Sequence, residues 1–324
     1  MANVLAGDIG GTTTRLGVFE QSASRPRLVV GKSYGTADFS SIADMAGAFF
    51  RDAGIDAHAI DAACFGAAGP VLNGVAELTN SPVRVDAAAI GRALGLPRVA
   101  LLNDLEALAY AVPVLAADEV HVLQDGRANP DGAIAIIAAG TGLGEAVIFQ
   151  IDGRAVVRAS EGGRADFAAR TDRDILVLQH VTRAHGRAAV EHVISGIGLV
   201  NIHNAIHPGG CSAGIDLLHA DAPGHISVAA FEQRCPSCVE ALAMFVSAYG
   251  AEAGNLALRT VSTGGVYIGG GIATKILPAL TTGAFLSAFR SKAPFTEMLA
   301  AMPVKVILNA DAGLMGAAKF CSLT

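Results

Sequence analysis

The stretch Val4-Leu-Ala-Gly-Asp-Ile-Gly-Gly-Thr-Thr-Thr14 decides how the beginning of the chain folds. Its apolar first residues predict a strand and residues 15–19 predict a second one, so the glycines and threonines between them form a hairpin turn. Glycines in such a turn adopt positive φ easily and let main-chain N–H groups approach an anion. The stretch therefore predicts either a plain hairpin turn or a phosphate-binding one. The candidate phosphate-binding residues are Gly7, Asp8, Ile9, Gly10, Gly11 and Thr12.

A second turn of the same kind, Gly140-Thr-Gly-Leu-Gly144, joins predicted strands at residues 133–139 and 146–149. Neither turn matches the P-loop motif, and neither opens a crossover helix as a dinucleotide fingerprint does. Because two such hairpins occur in one chain, we expect both to bind phosphate, the second through Gly140, Thr141 and Gly142. Asp8 adds a carboxylate beside the first turn, which suits Mg²⁺ held through water.

A third glycine-rich stretch, Gly264-Gly-Val-Tyr-Ile-Gly-Gly-Gly271, follows a different pattern. Its glycines come after a predicted strand at residues 266–268 and before a predicted helix at residues 273–280. They leave room for a flat adenine-ribose against the backbone, or they only allow the helix to pack tightly on the sheet. The candidate adenine-side residues are Gly269, Gly270 and Gly271.

Composition restricts the class of protein. The chain has 324 residues, 52% of them hydrophobic and 16% charged, which excludes disorder and suggests about two domains. A net charge of −6 argues against a nucleic-acid partner. The apolar runs are too short for a membrane span, and the first residues do not resemble a secretory signal. Five scattered cysteines do not form a disulfide framework, so we expect a reduced, cytoplasmic protein.

Each hairpin opens its own α/β half. In the first half, buried strands are predicted at residues 62–65 and 99–102. In the second half, helices are predicted at residues 172–185, 196–206 and 236–258, and a last strand at residues 304–308. No low-complexity linker separates the halves. We expect a small domain at residues 1–113 plus 311–324 and a large domain at residues 114–310.

The glycine-rich turns, together with Gly66-Ala-Ala-Gly-Pro70 and Ala310-Asp-Ala-Gly-Leu-Met-Gly-Ala317, resemble the actin-like ATPase fold of sugar kinases, Hsp70 and actin. This resemblance implies an α/β, ribonuclease H-like fold with duplicated domains around a central cleft. It also implies that ATP and Mg²⁺ are the cofactors and that cleft closure excludes water.

A narrower resemblance rests on Leu102-Asn-Asp104, Ser160-Glu-Gly-Gly-Arg-Ala-Asp-Phe167 and the stretch from Glu191 to Asn201. These motifs are similar to those of the bacterial glucokinase family, and not to the related repressor, open-reading-frame and kinase family. The resemblance implies ATP-dependent phosphorylation of glucose at its 6-hydroxyl by a homodimer. It implies that Asp104 is the general base that also contacts the sugar. The other implied sugar ligands are Asn80, Asn103, Glu161, Arg164 and Glu191.

One position departs from the family pattern, because Arg164 stands where the family motif has a histidine. Arginine only donates hydrogen bonds and carries a fixed charge, so it could pair with Glu161 or Glu191 and compete with the sugar. Three outcomes stay open: glucose still binds, another hexose is preferred, or activity is impaired. A weakly active sugar-sensing regulator is the alternative function.

Cysteine and histidine pairs give weaker signals. Cys235-Pro-Ser-Cys238 has redox or metal spacing, but one pair is too few for a structural zinc site, so we expect a packed or solvent-side thiol pair. His203 and His207 lie one helical turn apart, and we expect a polar helix face there.

Overall fold

The computed structural model describes residues 3–22, 24–78 and 83–323. Strands and helices alternate along these ranges. The strands are β1 (Asn3–Ile9), β2 (Thr13–Glu20), β3 (Arg27–Gly35), β4 (Ala62–Ala67), β5 (Val71–Leu72), β6 (Val75–Glu77), β7 (Arg84–Asp86), β8 (Val99–Asn103), β9 (Val120–Gln124), β10 (Ile134–Ala139), β11 (Leu143–Ile151), β12 (Arg154–Ser160), β13 (Gly265–Gly269) and β14 (Val304–Ile307). The helices are α1 (Ile42–Ala53), α2 (Ala87–Leu94), α3 (Asp104–Ala111), α4 (Asp172–His185), α5 (Gly196–Ile206), α6 (Ala222–Phe231), α7 (Pro236–Thr260), α8 (Gly270–Lys275), α9 (Leu277–Leu280), α10 (Ala284–Arg290), α11 (Thr296–Ala301) and α12 (Ala312–Phe320).

The chain divides into two compact units. The small unit comprises Met1–Ala117 and Asn309–Thr324, and the large unit comprises Asp118–Leu308. No helix in the described ranges is both long enough and apolar enough to cross a bilayer.

The small unit is built on a sheet with the strand order β3-β2-β1-β4-β8. Strands β1, β2 and β3 form an antiparallel meander, whereas β4 and β8 extend the sheet parallel to β1. Strand β4 is buried along its whole length, as expected for a central strand covered on both faces. Helix α12 returns from the end of the chain and packs on α3, where Gly316 leaves room for the Ala107 carbonyl.

The large unit repeats this arrangement. Its sheet has the order β12-β11-β10-β13-β14-β9, in which β10, β11 and β12 form an antiparallel meander. Strands β13 and β14 run parallel to β10, and β9 closes the far edge antiparallel to β14. The predicted α/β class is therefore confirmed. The small unit begins with its hairpin as expected, whereas in the large unit strand β9 precedes the hairpin of β10 and β11.

Several elements differ from the sequence expectation. The helix predicted at residues 273–280 begins earlier, at Gly270, and is divided into α8 and α9. The division falls at Ile276 because Pro278 has no N–H group to continue the helical hydrogen bonds. Edge strands β9 and β12, and helices α6 and α10, were not predicted.

Candidate active site

The first glycine-rich turn joins β1 to β2 in the small unit. Gly10 N donates to Thr13 O at 3.1 Å, and Thr36 N donates to Thr12 O at 2.9 Å. The Thr36 hydroxyl also donates to Gly10 O at 2.8 Å, so the end of β3 holds the turn from the side. The hairpin is therefore fixed by its own main chain and by Thr36, a residue that the sequence analysis did not identify.

Asp8 lies in β1 opposite Arg15 of β2. The Arg15 guanidinium forms an ion pair with Asp311, just before α12. Burial raises the pKa of Asp8 and outweighs the opposing effect of Arg15, and Asp311 raises it further. The Asp8 carboxylate is thus close to a second carboxylate and one cation at the end of the strand.

Asn103 and Asp104 lie where β8 ends and α3 begins. Asn103 is the N-cap: its Oδ1 accepts from Leu105 N at 2.9 Å, and its Nδ2 donates to Gly69 O at 3.0 Å. The Asp104 carboxylate also accepts from Leu105 N at 2.9 Å. A capping box with Glu106 completes the helix start, so Asp104 is held on a rigid element.

The Gly10 turn and Asp104 share one edge of the small sheet. Ile9 pairs with Ala67 in β4, and Ala67 pairs with Asn103 in β8, all in parallel register. Ligands of open α/β sheets bind at the carboxyl ends of parallel strands. Gly66 in β4 lets α3 begin against the sheet, because a Cβ there would lie 2.9 Å from the Ala107 Cβ.

The second glycine-rich turn joins β10 to β11 in the large unit. Gly140 N donates to Gly142 O at 2.9 Å, and Gly196 N at the start of α5 donates to Gly140 O at 2.9 Å. Among the described residues, no atom outside its chain neighbours lies within 4 Å of a Cβ built on Gly140, so a side chain there would meet none of them. Thr141 is exposed beside it.

The third glycine stretch lies at the same edge of the large sheet, because Ala138 pairs with Gly269 in parallel register. Gly269 is the N-cap of α8, and Gly270 has φ of 84° and approaches Ala139 O too closely for a side chain. The buried Tyr249 of α7 contacts the ends of both strands, β10 and β13. Its hydroxyl accepts from Ala139 N at 3.1 Å and lies 3.5 Å from Gly269 O. Tyr249 was missed by sequence reasoning, since it is far from both turns in the chain.

The predicted sugar ligands of the large unit lie around the end of β12. Arg164 Nη1 forms an ion pair with Glu191 Oε1 at 2.9 Å. The Arg164 side chain is 52% exposed and the Glu191 side chain only 15%. The arginine therefore pairs from the solvent side with a carboxylate that is mostly buried. Glu161 is exposed at the beginning of the same short turn, and its carbonyl accepts from Arg164 N. The structure therefore brings Arg164 together with Glu191, one of the two partners that the sequence left open.

The Glu161–Arg164 segment rests on Glu145 of β11. A Cβ on Gly162 would lie 2.0 Å from Glu145 Oε2, so a larger residue there would displace the Glu145 carboxylate. Glu145 is buried, and its Oε2 lies 3.7 Å from Arg259. Burial and the Glu252 carboxylate raise the pKa of Glu145 to about 7, against the effect of Arg259. Sequence patterns alone did not indicate which way this side chain points.

The structure thus groups the predicted site residues by unit. In the small unit the Gly7–Thr12 turn and Asn103-Asp104 share one sheet edge. In the large unit the Gly140 turn and Gly269 share an edge, while Glu191 approaches Gly142 and holds Arg164. Asn80 lies outside the described residues.

Comparisons with known proteins place this arrangement in a family. A family model described as glucokinase matches residues 5–324. The glucokinase of Nostoc punctiforme is 37% identical over 337 aligned residues that cover 98% of each chain. Among solved structures, a glucokinase from an Antarctic psychrotroph superposes with a TM-score of 0.86 at 28% identity, covering all of both chains. A Balamuthia mandrillaris glucokinase in complex with glucose shares the fold, with a TM-score of 0.81 at 19% identity over 100% of this chain and 94% of the other. The chain therefore belongs to the glucokinase family, as its motifs indicated, and is an enzyme of that family.

Proposed function

We propose that this chain transfers the γ-phosphoryl group of ATP to the 6-hydroxyl of glucose, with Asp104 as the general base. Membership of the glucokinase family supports the reaction. The observation that carries the residue assignment is the position of Asp104, which begins α3 at the same sheet edge as the Gly10 turn.

The proposed chemical step is an in-line displacement. The Asp104 carboxylate accepts the proton of the 6-hydroxyl as that oxygen bonds to the γ-phosphorus, and the bond to the β-phosphate oxygen breaks to release ADP. General-base assistance typically contributes about 10²–10⁴-fold, while positioning supplies much of the rest. The capping box that fixes the start of α3 supports such positioning.

The two glycine-rich hairpins are the proposed phosphate ligands, through the main-chain N–H groups of Gly10–Thr12 and Gly140–Gly142. Gly269, Gly270 and Gly271 are the proposed adenine-side residues. Asp8 suits Mg²⁺ bound through water, because this ion keeps several waters and takes one or two carboxylates. When bound, Mg²⁺ neutralises charge on the phosphates. Burial raises the pKa of Asp8, and a bound cation would act in the opposite direction by stabilising the ionised carboxylate.

The proposed sugar ligands are Asn80 and Asn103 of the small unit and Glu161 and Glu191 of the large unit. One hydrogen of the Asn103 amide group bonds Gly69 O, and the second is the proposed donor to a sugar hydroxyl. Arg164 holds one oxygen of Glu191, so the sugar and the arginine compete for this carboxylate. This contact makes Arg164 the residue that tunes sugar affinity.

We also propose the compartment and the oligomeric state of the enzyme. A reaction that consumes ATP fits the cytoplasm, and a symmetric homodimer is the expected assembly, since closed homo-oligomers are common among soluble enzymes. Light scattering of the purified chain measures the assembly directly.

The test is a coupled assay that detects ADP from the purified chain with ATP, Mg²⁺ and a panel of hexoses. We expect glucose to give the highest kcat/KM. A rate no greater than background with every hexose would refute the kinase assignment. A tenfold preference for another hexose would refute the substrate and leave the phosphoryl transfer intact.

A further inference from the structure

Four side chains with metal-binding atoms meet in the large unit, away from the residues proposed above. They are His203 of α5, Cys211 in the segment after α5, and Cys235 and Cys238 at the start of α7. One ligand atom from each lies within 4.8 Å of the others. The prediction that His203 lies on a polar face of α5 is wrong, because His203 is fully buried. The predicted pair of packed thiols is in fact part of a larger cluster.

The sulfur separations suit a shared metal ion. Cys211 Sγ lies 3.6 Å from Cys235 Sγ and 3.6 Å from Cys238 Sγ. Sulfurs bound to zinc at about 2.3 Å occupy the corners of a tetrahedron with edges of roughly 3.8 Å. Sulfurs in a disulfide are about 2.05 Å apart. The observed spacing therefore matches ligands around one ion and is too wide for a disulfide.

The histidine supplies an independent sign of a missing partner. His203 is 0% exposed, and neither of its ring nitrogens makes a hydrogen bond of normal geometry with any described residue. The Cys235 sulfur lies within 4.8 Å of a ring nitrogen of His203, as two ligands of one ion would. Leaving a buried polar group without a partner costs about 1–3 kcal/mol, so native proteins rarely do so. A metal ion bound to one ring nitrogen would satisfy the group.

The local structure explains how these residues meet. Cys235 is the N-cap of α7 and Cys238 lies in its first turn, so the Cys-x-x-Cys spacing directs both sulfurs to one side. The positive end of a helix dipole favours thiolates at this position. Cys211 belongs to the segment between α5 and α6, which contains turns but no strand or helix among its described residues. An ion at the cluster would fasten this segment to two helices.

We propose that His203, Cys211, Cys235 and Cys238 bind one zinc ion in a tetrahedral structural site. Four protein ligands leave no open position, which is typical of structural rather than catalytic zinc. Three sulfurs and one imidazole select zinc over Mg²⁺ or Ca²⁺, which prefer oxygen ligands. Binding would convert the thiols to thiolates and release their protons to solvent.

The first test measures metal content. The untagged chain is purified without chelators from zinc-replete cells and analysed by inductively coupled plasma mass spectrometry. We expect about one zinc per chain, falling at least fivefold in Cys211→Ser and His203→Ala. Two matched controls keep the full content: Cys321→Ser, a buried cysteine of the small unit, and His207→Gln, the neighbouring histidine that bonds Glu240. Full zinc content in the Cys211→Ser variant would overturn the proposal.

A second test uses the unmodified sequence, so it does not depend on the folding of variants. Cells grown in zinc-depleted, cobalt-supplemented medium should yield a chain with the visible absorption bands of tetrahedral, thiolate-bound cobalt. Absence of these bands, together with less than about a tenth of a zinc ion per chain in the first test, would refute the site. A disulfide joining Cys211 to Cys235 or Cys238 in freshly purified protein would refute it as well.

Discussion

Arg164 forms an ion pair with Glu191, a carboxylate that we propose binds the sugar. The segment from Glu161 to Arg164 contacts β11 closely through Gly162 and Gly163, and the Arg164 side chain reaches Glu191 from the end of this segment. Its charge faces Glu191, whose carboxylate is partly buried beside Gly142. An ion pair that is half exposed contributes at most about 1 kcal/mol, so we expect it to weaken the proposed binding of sugar at Glu191 modestly rather than to prevent it.

We expect Arg164→His to lower the KM for glucose by up to about fivefold, because the competing ion pair with Glu191 is removed. The kcat should stay within roughly twofold, since Arg164 has no part in the proposed proton transfer. Steady-state kinetics with glucose as the varied substrate measure both quantities. Arg187→His is the matched control, because Arg187 pairs with exposed Asp166 at 3.0 Å. Abolished activity in Arg164→His would mean that the arginine has a positive role.

At the scale of elements, the repeated hairpins were predictable because alternating apolar residues and glycines are local signals. Helices α4 and α5 were predicted with the boundaries that the structure has. Edge strand β12 was not predicted, because it is mostly exposed and carries Arg154 and Arg158 among small residues. Short elements of this kind depend on their neighbours for stability, which the sequence does not display.

The candidate site was predictable to the same extent. Asp104 follows directly after a buried strand, so its place at a sheet edge could be inferred. The contacts of Tyr249 and Glu145 could not, because they join residues distant in the chain. The same reason explains the error at His203, whose neighbours Cys211 and Cys235 approach only through the folding of α5 against α7.

A substitution at Tyr249 tests whether α7 positions the Gly140 and Gly269 turns, which are proposed to bind ATP. We expect Tyr249→Phe to raise the KM for ATP by about three- to tenfold, because Ala139 N loses its acceptor and the Gly140 turn loosens. The KM for glucose should change less than twofold. Leaving that buried N–H unpaired should also lower the free energy of unfolding by about 1–3 kcal/mol.

Kinetics with each substrate varied in turn, and thermal unfolding, measure these effects. Tyr34→Phe is the control, since the Tyr34 hydroxyl bonds Asp52 at 3.0 Å on the small unit's surface. If Tyr249→Phe changed the KM for ATP and the KM for glucose equally, Tyr249 would have no specific role at the turns proposed to bind ATP.

At the scale of the whole molecule, Glu145 links stability to pH. Its pKa is about 7 in the folded chain against an ordinary value of 4.5, so the folded state holds the proton more tightly. The stability of the fold therefore falls as pH rises from about 4.5 through 7, and stays lower above that. The loss is at most roughly 3 kcal/mol for this one group.

Glu145→Gln removes the titrating group and keeps its shape. We expect the difference in thermal midpoint, Glu145→Gln minus the unmodified chain, to increase between pH 5 and pH 8. Differential scanning calorimetry at each pH measures it. Glu77 is the exposed last residue of β6, so the thermal midpoint of Glu77→Gln should equal that of the unmodified chain at every pH. A Glu145→Gln variant that loses stability relative to the unmodified chain as pH rises would contradict the sign of this effect.

The kcat of Asp104→Asn with ATP and glucose tests most directly whether Asp104 is the general base. The substitution keeps the size of the side chain but removes the carboxylate that we propose accepts the hydroxyl proton. Asp86→Asn is the matched control, because Asp86 caps α2 and asparagine caps a helix equally well. We predict that kcat falls on the order of 10²–10⁴-fold in Asp104→Asn, with the KM for glucose within about threefold, and that both constants of Asp86→Asn stay unchanged. A loss of kcat smaller than about threefold in correctly folded Asp104→Asn would contradict it.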